Sequence, residues 1–237
     1  MSQTEVAVSV ADAREPVIDR KAPPLYHDDR IAFAASWDLY QMLVEAIGDQ
    51  PVRLAFDGER VELMSPGLHH ERYKETIGTL VRALAAGLKV PLIGVGSTRW
   101  RRPAARRGLE ADTSFYLTRE KVEDARRLPE DEARWPIPDL AIEIDISPAK
   151  VDRPGIYRAL GIPEIWRFDG ETLRIDRLGS DGAYADAPES GFLGLRTVEA
   201  AHLLRTVAGE AEDDTDYARR VTEWAHRVLL PRRTGGG

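Results

Sequence analysis

The chain contains no cysteine. That absence removes disulfides, thiolate zinc sites, iron–sulfur clusters and a cysteine nucleophile. Long apolar runs are also missing: no stretch approaches the roughly 20 residues that a bilayer span needs, so no membrane partner is expected. Net positive charge is missing too. The formal charge is −7, which argues against a sequence-blind DNA coater but leaves room for an enzyme with a local basic patch. The opening residues lack a basic stretch followed by an apolar one, so no secretory signal is expected and the assigned location is the cytoplasm. What remains is 237 residues, 43% hydrophobic and 31% charged. This suits one globular domain with appendages, or at most two small domains.

Local patterns divide the chain. Residues 1–30 are polar, lack a period and carry Pro16, Pro23 and Pro24, which reads as an unstructured arm. Trp37, Tyr40, Leu43, Val44 and Ile47 recur at helical spacing between a Ser36 cap and a Gly48 stop. VRLAF and ERVELM alternate on either side of Asp57-Gly58, a hairpin signature. A long helix is predicted over 68–88, with Tyr73, Ile77, Leu80, Val81, Leu84 and Leu88 on its apolar stripe. Strands are predicted at 109–117 and 138–147, a short helix from Asp152 to a Gly161 stop, and a second hairpin around Asp169-Gly170. Two helical patterns, near 197–207 and 215–229, precede the tail PRRTGGG. The order of elements predicts a mixed sheet with helices packed on it, an α/β or α+β fold. The expected organisation is an arm at 1–30, a central domain at 31–208, and a C-terminal helix with a flexible tail at 209–237.

Two strands concentrate acids. Alternation puts Glu110 and Asp112 on one face of the strand 109–117, and Glu143 and Asp145 on one face of 138–147. If the strands are neighbours, four carboxylates converge and repel one another unless a cation neutralises them or one takes a proton. On that argument, replacing Glu143 by glutamine should stabilise the metal-free protein. Oxygen donors without cysteine or spaced histidines favour Mg²⁺ or Mn²⁺. Acids on a wet sheet face can also mean solvation alone. Five arginines, Arg99, Arg101, Arg102, Arg106 and Arg107, crowd the segment before the first strand. They read either as a phosphate-binding patch or as a solvated hairpin.

The segments MSPGLHHERYKETIGTLV, GSTRW, GLEADTSFY, PDLAIEIDIS and DRPGIYRALGIPEIWRFDG occur in this order over roughly residues 36–205. Together they resemble the Uma-type restriction-endonuclease family, within the PD-(D/E)XK nuclease superfamily. The resemblance implies a restriction-endonuclease-like core, a mixed central sheet flanked by helices. It also implies metal-dependent hydrolysis of DNA phosphodiester bonds. Asp112 and Glu143 correspond to the two motif acids, and the Ile144 carbonyl would complete the metal shell. Asp145 stands where the superfamily has lysine. The family often carries a lysine four residues before a helix tyrosine, here Tyr157, and that position holds Arg153. Lys150, the nearest lysine, is a second catalytic candidate that could reach back from the strand-to-helix turn.

Arg153 therefore either faces the Asp112–Glu143 cleft as the site cation or pairs structurally with Asp145 or Asp152. His70 is a catalytic candidate, with a polar helix cap as its bland alternative. Glu62, Glu75, Glu110 and Asp145 are candidate accessory acids, and Glu71, one turn from Glu75, is the other candidate for a helix acid. Cutting both strands of a duplex usually takes two sites, which makes a homodimer an expectation. The departure at the lysine keeps a rival open: a catalytically inactive nuclease fold that works as a binding or regulatory module.

Overall fold

The computed structural model describes residues 28–129 and 134–234. Most of the expected arm, 1–27, lies outside the described residues, as do 235–237 of the expected tail. The end of that arm is ordered, however. Asp29–Ala34 forms strand β1, followed by helix α1 (Trp37–Ile47). Ser36 caps α1 by accepting from the Leu39 amide at 3.1 Å, and Gly48 ends it with φ 53°. Strands β2 (Arg53–Phe56) and β3 (Arg60–Ser65) make the expected hairpin. Asp57 Oδ1 accepts the amides of Glu59 and Arg60, while Gly58 takes φ 98°, a left-handed value that glycine adopts without penalty. Helix α2 (Leu68–Leu88) has the bounds that its apolar period predicts, and it buries Ile77, Leu80, Val81, Leu84 and Leu88.

The next strands are β4 (Ile93–Gly96), β5 (Arg99–Arg102), β6 (Arg107–Glu110) and β7 (Thr113–Tyr116). They form one long antiparallel ribbon, because β5 pairs with β6 and β4 with β7. The ribbon bends at 97–98 and 111–112, and its two halves belong to different sheets. The predicted single strand 109–117 is thus two strands. Helix α3 (Arg119–Ala125), strand β8 (Leu140–Ile144), helix α4 (Arg153–Leu160) and strands β9 (Glu164–Phe168), β10 (Leu173–Leu178) and β11 (Tyr184–Asp186) follow. The chain ends in α5 (Thr197–His202), a π-helical turn at Leu203–Val207, the short α6 (Ala208–Glu210) and α7 (Asp214–Thr234). Pro231, expected to open the tail, lies inside α7.

One sheet is five-stranded and antiparallel, in the order β1-β3-β2-β6-β5. The other is six-stranded, β11-β10-β9-β8-β7-β4, and mixed: β8 and β9 run parallel across the α4 crossover. Helices α2 and α7 cover one face of the mixed sheet, where Leu140, Ile142, Trp166 and Ile175 meet Leu80, Leu84, Val221 and Leu229 in the main core. Ile156, Tyr157 and Leu160 of α4 pack with Trp100, Leu109 and Ile165 in a second cluster. The fold is α+β, as the sequence pattern indicates, with an antiparallel sheet added to the expected mixed one.

Gly87 marks a close approach of α2 to α7. A Cβ there would sit 2.5 Å from the Thr222 carbonyl oxygen and 2.8 Å from Ala225 Cβ. Gly87→Ala should therefore destabilise by about 1–3 kcal/mol through overpacking. In an open helix the same change stabilises by about 0.5–1 kcal/mol. Urea denaturation reads the sign, and a stabilised variant would refute this tight packing.

Candidate active site

The bend between the sheets carries Asp112. Its amide donates to the Ile142 carbonyl at 3.1 Å, and its Oδ2 accepts from the Ile144 amide at 2.6 Å. Ser97 Oγ donates to the Asp112 carbonyl at 3.0 Å, tying the two strands of the ribbon where they change sheet. The β7–β8 register pairs Thr113 with Ile142, so Asp112 stands one step on, across from Glu143. The expected neighbourhood of the two acids is present.

Glu110 does not join them as the single-strand alternation suggested. It ends β6 in the other sheet, opposite Arg99, whose Nε lies 2.7 Å from Glu110 Oε1. Burial raises the Glu110 carboxyl pKa, and Arg99 opposes that rise without cancelling it. Asp145 turns to Arg167, at 2.6 Å. The four expected acids are therefore not one bare patch.

Arginines are interleaved among the carboxylates instead. Arg153 enters from the first turn of α4, and its guanidinium faces inward, as one of the two sequence readings held. Nε donates to Glu143 Oε2 at 3.0 Å, Nη2 to Glu143 Oε1 at 2.7 Å, and Nη2 also to the Glu110 carbonyl at 3.2 Å. Tyr157, one turn along α4, donates its hydroxyl to the same Glu143 oxygen. Burial alone would lower the Arg153 pKa, but Glu143, Tyr157 and Glu62 raise it well above its usual value. The Tyr157 hydroxyl is pushed far up by burial and then by the Glu143 charge. Arg53, from β2, touches Asp112 Oδ1 and pairs with Glu71 at 2.6 Å. Arg30, from β1, donates to Glu62 Oε1 at 2.8 Å and to Ser147 Oγ at 2.7 Å.

His70 is fully buried. Its Nε2 lies 2.9 Å from Asp112 Oδ1 and 3.0 Å from Arg53 Nη1, and its Nδ1 lies 3.1 Å from Asp28 Oδ2. Glu62 is buried in the same network, where its Oε2 accepts the Lys150 amide at 2.6 Å and its Oε1 lies 3.6 Å from Arg153. The Lys150 side chain is exposed, and so is Glu75 on α2, where Glu71 occupies the inward position instead.

The expected basic patch divides. Arg99 lines a cleft of about 690 Å³ together with Arg53, Lys74, Glu71 and Glu110. Arg102 points the other way, to the Ala159 carbonyl of α4 at 2.8 Å, and Arg107 donates to the carbonyls of Ala105 and Arg106 in its own turn. Arg106 is exposed with φ 48°, and Arg101 buries its Nε without a hydrogen-bond partner.

Sequence reasoning missed Asp28, Arg30, Arg53, Lys74 and Tyr157 as parts of the site. Arg53 left a trace, since a charged residue opening the otherwise apolar strand RLAF needs a buried partner. Asp28 left none.

The sequence from 37 to 207, well over half of the chain, matches the family model described as Uma2: Putative restriction endonuclease. The chain belongs to the Uma2 family. No curated protein matches it. Uma2 membership supports nuclease function in general terms. Asp112, Glu143, Arg153 and His70 all fall within the Uma2 match, whereas Asp28, Arg30 and α7 fall outside it. No helix among the described residues is long and apolar enough to cross a membrane.

A divalent ion, which nuclease families of this kind often use, can be tested against these residues. Among the described residues, no three acidic or histidine side chains are grouped to hold one. Two carboxylates suffice for Mg²⁺, which retains water and takes the rest of its ligands from substrate phosphate. Asp112 Oδ1 is buried and makes no aligned hydrogen bond, although Arg53 and His70 touch it. The side chains of Asp28, Glu62, Glu110, Asp112 and Glu143 are all at most 9% exposed, against three comparably buried guanidinium groups, Arg30, Arg53 and Arg153. Arg99, 17% exposed, pairs with Glu110, and Asp28 meets His70 and, at 3.7 Å, Arg30, so all five acids meet an arginine. The oxygen donors of Asp112 and Glu143 suit a hard divalent cation, which would replace Arg53 and His70 at Asp112 and Arg153 and Tyr157 at Glu143.

Proposed function

We propose that this chain is an endonuclease that hydrolyses DNA phosphodiester bonds with Mg²⁺ or Mn²⁺ held by Asp112 and Glu143, with the Ile144 carbonyl as a further ligand. The observation that carries this reading is Asp112, a fully buried carboxylate fixed on one oxygen by the Ile144 amide, its other oxygen against Arg53 and His70 without an aligned hydrogen bond. A bound divalent ion would activate a water and neutralise charge on the scissile phosphate. The protein supplies the rest. Arg53, Lys74 and Arg99 line a cleft where backbone phosphates would be gripped, and Arg53 links that cleft to Asp112. Arg153 cannot act as a base, because its pKa is too high. Its guanidinium carries the positive charge that the superfamily lysine would bring, and it stabilises the developing negative charge. His70 orients Asp112 and Arg53. The location is cytoplasmic, and two copies act together on a duplex.

One observation favours a second reading, a binding or regulatory module without cleavage: Arg153 and Tyr157 already claim both Glu143 oxygens. Incubation with supercoiled plasmid decides between them. Nicking or linearisation with Mg²⁺ or Mn²⁺, abolished by chelation and by Asp112→Asn, is the expected result. Salt-dependent DNA binding without any cut would instead support the module. In either case Lys74→Ala and Arg99→Ala should each weaken DNA binding and lower the logarithmic salt slope by about 1. An unchanged slope in both variants would remove the cleft from the DNA interface.

A further inference from the structure

Strand β1 ends the five-stranded sheet, and among the described residues nothing pairs with its outer side. It runs six residues beside β3 without a bulge, and its centre, 31–34, carries neither charge nor proline. Those are the devices that normally stop a strand edge from adding another strand. Arg30, the charge nearest the centre, is turned away to Glu62 and Ser147. Ile31 and Phe33 are open instead, 61% and 40% exposed. They share one face with Leu63 and Val61 of β3, the face on which α1 packs. The ladder shows which peptide groups point outward. The Ala35 amide donates to the Glu59 carbonyl at 3.0 Å, one step beyond the Ala34–Arg60 pair, so Asp29, Ile31 and Phe33 turn their amides and carbonyls to β3. Arg30, Ala32 and Ala34 present theirs to the outside.

We propose that a second copy of this chain pairs along this edge, β1 antiparallel to β1 about a two-fold axis at Ala32. The outward residues of one copy must face those of the other, and centring on Ala32 lets 30, 32 and 34 face 34, 32 and 30, each pair exchanging two hydrogen bonds. The same register sets Ile31 beside Phe33 of the second copy in a pair without hydrogen bonds, where side chains stand closest. Across the four strands each row then reads Leu63, Ile31, Phe33, Val61, apolar throughout. The edge is thus complementary to itself, as an isologous contact requires. The exposed Arg60 guanidinium, which reaches the Ala32 carbonyl at 3.4 Å, moves into solvent. A strand edge is smaller than the ~800 Å² per partner of a standard interface, so the expected dissociation constant is about micromolar.

The axis is normal to the sheet, so like faces stay together. Arg30, Glu62 and Arg53 occupy the face opposite Ile31 and Phe33. Both sites therefore lie on the same side of the joined sheet. Glu62 stands opposite Ala32, which places the two Glu62 residues three strand spacings apart, about 14 Å. Two sites on one side suit the cutting of both strands of a duplex. That consequence rests on the hydrolase reading, and the contact does not.

The chain has no cysteine, so a single introduced one reports the register. Ala32→Cys should crosslink to its own counterpart under mild oxidation, because the two Cα atoms stand about 5.5 Å apart across the axis. Ala34→Cys, on the same face, should not, since its counterpart lies about 14 Å away. Sedimentation velocity at tens of micromolar should show a wild-type dimer. Ala32→Pro should be a monomer with unchanged circular dichroism, because proline removes an amide that β3 does not use. Phe33→Glu should weaken association by about tenfold or more, by putting a charge in each apolar row. A dimer that survives Ala32→Pro overturns the proposal, as does equal crosslinking at positions 32 and 34. A monomeric wild type overturns it as well; an Ala32 amide protected from exchange in that monomer would give the edge to the chain's own residues 1–27. If wild type is the expected dimer but cuts nothing, the hydrolase reading falls and the contact stands.

Discussion

Arg153→Ala should lower the unfolding free energy by about 3–5 kcal/mol, the cost of leaving one partner of a buried ion pair unpaired. Three hydrogen bonds end on this guanidinium's own partners, two on Glu143 and one on the Glu110 carbonyl. Deleting the side chain leaves the Glu143 carboxylate, only 5% exposed, with Tyr157 as its remaining partner. Urea denaturation measures the loss, and a change below about 1 kcal/mol would mean that Glu143 finds other solvation. Cleavage should fall by about 10²-fold or more at temperatures where the variant is folded, the scale for one electrostatic donor. Arg153→Lys keeps a charge and places the residue type that the resemblance leads one to expect there. It should hold cleavage within about tenfold of wild type while losing stability, because one ammonium cannot make the two parallel bonds of a guanidinium. Equal activity in the alanine and lysine variants would show that no cation is needed at this position.

Glu143→Gln is expected to abolish divalent-dependent cleavage and, in metal-free buffer, to destabilise the fold by about 3 kcal/mol. The sign reverses the expectation drawn from clustered acids. That expectation treated the carboxylates as mutually repelling neighbours, whereas Glu143 is the counter-ion of a fully buried arginine. Glutamine retains an acceptor oxygen for Tyr157 or one N–H, but it cannot balance the Arg153 charge. Thermal unfolding with and without Mn²⁺ tests both halves. Wild-type protein should gain stability on adding the ion, by mass action on the folded state, and the variant should gain little. A variant that cleaves normally would exclude Glu143 as a ligand. One that melts higher than wild type would mean that acid repulsion dominates despite Arg153.

Much of the fold was legible in the sequence wherever neighbours along the chain decide the structure. The 3.6-residue period from Tyr73 to Leu88 sets α2 at Leu68–Leu88. Asp57-Gly58 and Asp169-Gly170 set two hairpins because each aspartate bonds the amides just beyond it and each glycine takes φ 98°. The Ser36 and Asp152 caps and the Gly161 stop behave as their chemistry requires. The placement of Asp112 across from Glu143 was likewise readable, from two acid-bearing segments and the ordered family segments around them.

What tertiary structure alone decided concerns partners far apart in sequence. Asp28 and Ser147 are separated by 119 residues, Arg30 and Glu62 by 32, and Glu62 and Lys150 by 88. No local period encodes such pairings. The same limit explains the false unity of 109–117. Alternation continues through Ala111 and Asp112, but the ribbon changes sheet there, which sends Glu110 to Arg99 and leaves Asp112 at the bend. Alternation along β5 also separates Arg102, which turns to the Ala159 carbonyl, from Arg99, which lines the cleft. The sequence specified which acids are present and that Glu143 lies on a strand of its own. Packing of two sheets against α2 and α4 decided that arginines stand between those acids, because a buried carboxylate keeps its charge only where a counter-charge or hydrogen bonds replace the water it has lost.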